Sequence, residues 1–327
     1  MTAIAVSAVE AKTMYRDMLR IRLVEERIAD LYSEQEMRCP VHLCIGQEAT
    51  AVGVCAALEP NDYAFGSHRS HGHYLAKGGD LGRFMAELYG KATGCCRGKG
   101  GSMHLIDVSV GFLGAVPIVG STLPIAVGAA FGGTFTNAPR VTAVFFGEGA
   151  TEEGVFQESL VFAALKNLPV VFVCENNLYS VYSSLAVRQP PDRDIPAVAV
   201  ANGVAAARGD GNDVEAVYEL ARDAVATARG GGGPTLIQLD TYRWREHCGP
   251  FYDNDLGYRT PEEFEEWRTR CPVETFKARL LDRGDLQVDA LTSLTAEIEA
   301  EIDKAVRFAK ESPFPEPDEL YADVYAG

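Results

Sequence analysis

The strongest constraint on this chain is the character of its candidate strands. "VTAVFF" (141–146) and "PVVFVC" (169–174) are continuously apolar, and Thr235 to Thr241, after four glycines and Pro234, reads as a third strand. A strand with one face in water alternates apolar and polar residues; an unbroken apolar run is covered on both faces. Parallel neighbours also need a long crossover between them. Glu152 to Asn167 supplies one as a helix. The expected fold class is therefore α/β, a parallel sheet with helices on both faces. With 327 residues and 47% hydrophobic content, the chain can bury a substantial core. No internal repeat or linker divides it, so 1–327 reads as a single domain. An amphipathic N-terminal extension (12–37, with Met14, Met18, Ile21 and Ile28 near helical spacing) precedes the sheet. A helix from about 285 and a Pro-rich tail, "ESPFPEPDELYADVY", close the chain. Residues 38–120 look loop-heavy and hold five of the six histidines.

The first crossover raises a functional question. "AVFFGEGATEEG" (143–154) empties a buried strand into Gly147-Glu148-Gly149 and then starts a helix. Ligands of open parallel sheets bind beyond the carboxyl ends of strands. Glycines let backbone approach a ligand, and a helix start offers N–H groups to an anion. The next strand delivers Asn176 and Asn177 to the same edge. A carboxylate and amide oxygens suit magnesium, which commonly bridges carboxylates to phosphates. The unit thus reads as a site for a diphosphate and its metal. The alternatives are a glycine turn with no ligand and a dinucleotide fold. The second fails on a residue, because the third glycine of G-x-G-x-x-G falls on Glu152. "STLPIAVGAAFGG" reads as a helix opened by Ser121. Gly128 and Gly132, four apart, suit either close approach by another helix or tight packing in the chain's own core.

Charge and cysteine usage exclude other classes. Net charge is −16, with a pI of about 4.8 and no Lys/Arg-rich block, which argues against nucleic acid or an anionic membrane as partner. No apolar run reaches spanning length, and the start "MTAIAVSAVEAK" lacks a secretory pattern. The eight cysteines include no C-x-x-C pair, and adjacent Cys95 and Cys96 look like ordinary small core residues. The expected location is cytoplasmic.

"GEGA…ENN" resembles the thiamine-diphosphate motif. With "HLCIGQEA" (42–49), "HRSHG" (68–72), "GKGGSMH" (98–104), "IVGS" (118–121), "TYRW" (241–244) and "SPFPEPDELYADVY" (312–325), the chain resembles the alpha subunit of the 2-oxo-acid dehydrogenase first component over nearly its whole length. That family includes the pyruvate, branched-chain and acetoin enzymes. The resemblance implies thiamine diphosphate and Mg2+ as cofactors, and a beta subunit carrying the pyrimidine-binding half, two alpha and two beta chains together. The chain would be the diphosphate-binding half. The implied reaction cleaves a pyruvate-like 2-oxo acid and passes the acyl unit to a lipoyl carrier protein, the cofactor supplying the electron sink.

Residue by residue, the resemblance implies Glu148, Asn177 and the Tyr179 carbonyl as magnesium ligands. Gly147, Gly149 and Ala150 would face the diphosphate, and Arg69 would grip it. Ile118 and Val119 would hold the aminopyrimidine edge through backbone. His68 would line the cofactor. His71 and His247 are the catalytic candidates, His247 for proton transfer or orientation of the substrate. His68, His71 and His73 as a transition-metal cluster, and Arg69 as a structural ion-pair partner, are the blander alternatives. His42 and His104 suit buried hydrogen-bonded roles as well as catalytic ones.

The departures leave the substrate open. Glu148 stands where the motif usually has aspartate, and "VP" (116–117) replaces a glycine-containing pair. Arg245, a departure in "RWREHCGPFYDNDLGYR" (243–259), suits either a phosphorylated or carboxylated substrate or a salt bridge. A second reading is therefore a transferase or lyase moving a two-carbon ketol or acyl unit from a ketose phosphate or pyruvate. A third is a non-catalytic scaffold.

Overall fold

In the computed structural model, which describes residues 6–136 and 140–322, six parallel strands form one sheet. They are β1 (Tyr63–Gly66), β2 (Phe112–Ala115), β3 (Thr142–Gly147), β4 (Val170–Asn176), β7 (Ala205–Asp210) and β8 (Thr235–Asp240). Their order is β2-β1-β3-β4-β8-β7, and a two-stranded hairpin, β5 (Tyr179–Ser180) with β6 (Ser183–Ser184), follows β4. From β1 the chain steps outward one way to β2, and from β3 the other way to β4. The sheet therefore has a switch point between β1 and β3, where ligands of such folds bind.

The expected α/β class is the observed one, with both faces covered. Alternate residues of β3 enter two separate cores: Ala143 and Phe145 on one face, Val144 and Phe146 on the other. The first face packs under helices α1 (Ala8–Leu31), α2 (Glu48–Ala57), α3 (His71–Ala76), α4 (Leu81–Leu88) and α9 (Val214–Arg229). The second packs under α5 (Thr122–Gly133), α6 (Gly154–Leu165) and α8 (Ile195–Ala201). Between them α7 (Leu185–Arg188) is a single turn. Later helices α10 (Pro261–Thr269), α11 (Pro272–Asp282) and α12 (Val288–Glu311) extend the first layer, α12 against α4. Truncating a fully buried phenylalanine such as Phe145 to alanine costs about 3–5 kcal/mol in cores of this kind.

The loop-heavy reading of 38–120 is corrected: α2, α3, α4, β1 and β2 lie there. Two of these elements are four-residue strands, and α3 has six residues, too short to show a period. β7 was also unread. As "AAARGD" on the sheet edge, half-exposed, it lacks the apolar run of its neighbours. The helix from Ser121 is α5, and its glycine face points outward. A Cβ on Gly128, Gly132 or Gly133 would meet nothing within 4 Å. Among the described residues no helix is long and apolar enough to cross a membrane. The tail motif beyond Ala322 lies outside the described residues.

Candidate active site

The carboxyl ends of β1, β2, β3 and β4 open on one cleft. β1 delivers Ser67, His68 and Arg69; β2 leads to Val116, Pro117 and Val119; β3 runs into Gly147, Glu148, Gly149 and Ala150; β4 ends at Asn177 and Tyr179. The loop after β8 adds His247. Most of the residues singled out in the sequence therefore converge. Ile118 is 68% exposed and outside the lining, beside Val119 on the rim.

Glu148 begins a 3-10 turn and is 1% exposed. Burial pushes its pKa up, with Arg188 opposing. Gly149 leaves the turn close to its neighbours: a Cβ there would stand 3.0 Å from Ser180 Oγ, a tight contact that Ser180 would have to yield to. Asn177 Nδ2 donates to Gln47 Oε1 at 3.4 Å, and its Oδ1 accepts from the Tyr179 N–H at 3.2 Å. Leu178 (φ 72) and Val181 (φ 54) hold this turn in the left-handed region, which bulky and β-branched residues rarely enter. Strain of this kind collects at ligand clamps.

Arg69 is 6% exposed. Its Nη1 donates to the Leu43 carbonyl at 2.6 Å and its Nη2 to the His247 carbonyl at 3.0 Å. No carboxylate pairs with it among the described residues. Burial and then Arg243 pull its pKa down to about 9. A buried cation lacking an anion is costly alone and suits a diphosphate. Glu148, Asn177 and the Gly149 backbone thus form an oxygen-rich pocket beside the uncompensated Arg69 guanidinium, which fits a diphosphate with its metal.

His68 and His247 line this cleft, and the buried His42 packs against both rings. The rings of His42, His68 and His247 are 5.1, 5.1 and 5.2 Å apart, centroid to centroid. Burial first, and Arg69 second, lower their pKa values to about 2, about 3 and about 3 respectively. All three are therefore neutral at neutral pH. Arg69 Nη2 lies 3.4 Å from His247 Nδ1. A guanidinium only donates, so Nδ1 accepts and the ring proton sits on Nε2.

Several expected roles are corrected. His71 has no exposure and does not line the cleft. Its Nδ1 is 2.6 Å from Glu25 Oε1 and its Nε2 is 2.6 Å from Ser102 Oγ, so neither nitrogen is free for a substrate. Ser102 Oγ in turn accepts from the His42 N–H at 3.3 Å. His71 therefore supports His42 from behind. His73 bonds Glu175 at 3.1 Å and stacks on Phe145, away from His68, so the transition-metal alternative has no shared ligand point. His104 is exposed, with Nδ1 3.0 Å from the Gly100 carbonyl. Arg245 is not in the cleft either. It donates to the Pro250 carbonyl at 2.8 Å, pairs with Glu26 at 3.3 Å and lies over Tyr252. Cys96 is half-exposed rather than core.

Sequence reasoning missed three participants. Gln47 and Glu175 line the cleft. Both stand in quoted motifs, "HLCIGQEA" and "ENN", without a role having been drawn from them. Arg188 binds Glu148 and follows no motif at all.

Comparison with known proteins gives the chain a family. The dehydrogenase E1 component family matches residues 16–318. The alpha subunit of an acetoin:2,6-dichlorophenolindophenol oxidoreductase from Bacillus subtilis is 41% identical over 97% of this chain and 93% of its own. The chain belongs to the dehydrogenase E1 component family. Two other members are pyruvate dehydrogenase E1 component alpha subunits. That of Porphyra purpurea is 38% identical over 96% of this chain and 92% of its own. That of Rhizobium meliloti is 36% identical over 95% and 88%. Membership in the E1 family brings thiamine diphosphate as cofactor and a beta subunit as partner. The non-oxidative transferase reading is not favoured, since these relatives are oxidoreductase and dehydrogenase subunits.

Proposed function

We propose that this chain is the alpha half of a thiamine-diphosphate enzyme that takes a short 2-oxo acid, or the related acyloin, and passes an acyl unit to a lipoyl carrier. The carrying observation is one cleft that joins a buried carboxylate, an unpaired buried arginine and neutral imidazoles at the switch point of the sheet. Glu148, Asn177 and the Tyr179 carbonyl would hold Mg2+; Arg69 and the Gly149 and Ala150 amides would hold the diphosphate. Bound there, the cofactor supplies the electron sink for carbon–carbon cleavage. His247, neutral with its proton on Nε2, would donate a hydrogen bond to the donor's carbonyl oxygen and so orient it. His68, backed by His42, would keep water from its side of the cleft.

Two alpha and two beta chains are the assembly we favour. The supporting feature is apolar surface without cover: Ile125, Leu165 and Phe135 are 50, 74 and 77% exposed around the open glycine face of α5. Co-expression with the beta partner, followed by a donor panel of pyruvate, acetoin and a ketose phosphate, tests the reading. Acyl transfer to a lipoyl domain from pyruvate or acetoin is expected. Turnover of the ketose phosphate alone would replace it with ketol transfer.

A further inference from the structure

Arg188, the last residue of α7, lies on the acid that would hold the metal. Its Nη2 is 2.5 Å from Glu148 Oε1, and its Nη1 pairs with Glu152. Nε donates to the Ser183 carbonyl at 3.0 Å, which fixes the direction of the side chain. A Cβ built on Gly149 would stand 3.6 Å from Nη1, so the guanidinium also covers the amide turn proposed for the diphosphate. Arg188 is 12% exposed at its side chain, and Glu148 2%.

A divalent cation binds a carboxylate oxygen at roughly 2.0–2.1 Å. A guanidinium already hydrogen-bonded to the same small carboxylate would be brought against it, and two cations at that separation repel strongly where water is scarce. We infer that Arg188 is a resident counter-ion of Glu148, displaced when the divalent cation loads, so that it lowers the site's affinity for the cation alone. The inference rests on the metal-site reading above. Its consequence is coupled loading. A guanidinium displaced from Glu148 keeps Glu152 but loses one of its two anions, and the diphosphate that arrives with the cation can take that place. Each ligand then strengthens the other, by the same factor in both directions.

The test uses the full chain with its beta partner, freed of cofactor, and Mn2+ alone as probe, with free ion followed by its paramagnetic resonance at neutral pH. Arg188→Gln is expected to bind Mn2+ at least tenfold more tightly than the unaltered protein, about 1.4 kcal/mol. Arg188→Lys, which keeps a cation, should stay near the unaltered affinity. Mn2+ affinity unchanged or weakened in Arg188→Gln overturns the inference. Glu148→Gln separates the two readings. Loss of Mn2+ binding there, with Arg188→Gln unaltered, sinks only the counter-ion role; full Mn2+ binding without the Glu148 carboxylate sinks the metal site itself. Should Arg188→Gln fail to fold, hydrogen exchange on the unaltered complex decides. Mn2+ should speed exchange at the Leu185 and Gln189 amides, which bond the Leu178 and Leu185 carbonyls; no change overturns the inference.

Discussion

Arg69 holds His247 by both its backbone and its ring: the same Nη2 donates to the His247 carbonyl at 3.0 Å and faces Nδ1 at 3.4 Å. One buried guanidinium thereby orients the imidazole over the cleft and, among the described residues, has no carboxylate of its own. Removing it should harm two things at once. Arg69→Gln is expected to weaken thiamine diphosphate by at least tenfold, about 1.4 kcal/mol, in a direct cofactor titration. It should also loosen the loop around His247, read as faster amide exchange there. Retained cofactor affinity would make Arg69 a structural residue only.

The three imidazoles give the cofactor-free protein an acid weakness. Their folded pKa values, about 2 for His42 and about 3 for His68 and His247, lie below the ordinary 6.5. Between those values the unfolded chain binds protons that the folded chain refuses. Their contribution is present above about pH 6.5 and is lost as pH falls toward 3. The urea midpoint should therefore drop from about pH 7 to about pH 5. His68→Tyr, which removes one such group, should drop less. Equal losses in both proteins would mean that His68 titrates normally.

His71 is a positioning residue on the geometry. It bridges Glu25 to Ser102, and Ser102 accepts from the His42 amide. His71→Gln leaves a buried carboxylate short of a donor, at a cost of about 1–3 kcal/mol, more if the acid stays charged. Stability should fall in urea unfolding while cofactor affinity changes less than that of Arg69→Gln. His71→Asn, whose shorter side chain puts its amide near the Nδ1 position that faces Glu25, should recover part of the loss. A variant with unaltered stability and lost turnover would return His71 to the chemistry.

Arg245 is expected to be dispensable for substrate. Its charge goes to Glu26 and the Pro250 carbonyl. Arg245→Ala should leave KM for a 2-oxo acid unaltered and cost about 0–1 kcal/mol of stability, as partly exposed pairs do. A raised KM confined to phosphorylated donors would revive the ketol-transfer reading.

Legibility followed the length of the signal. β3, β4 and β8 could be read because five to seven consecutive residues of each are buried, whereas β1 and β2 are four residues long. The glycine turn after β3 and the asparagines after β4 were readable as one site because parallel neighbours end together: Gly147 pairs with Glu175. His71 misled because a motif records that a residue matters, not which way its ring faces. Arg188 was invisible for the opposite reason. It reaches Glu148 across 40 residues from a turn of four, and neither local pattern nor spacing announces such a pairing.

The open glycine face of α5, with Phe135 and Leu165 beside it, has a cost inside a cell. A chain finished before its partner arrives presents a bare greasy patch to everything around it. Making the two chains in step, from neighbouring messages or on neighbouring ribosomes, would keep that patch from chaperones and proteases. Surplus alpha chain should then be cleared rather than stored, so that the amount of enzyme follows the scarcer chain.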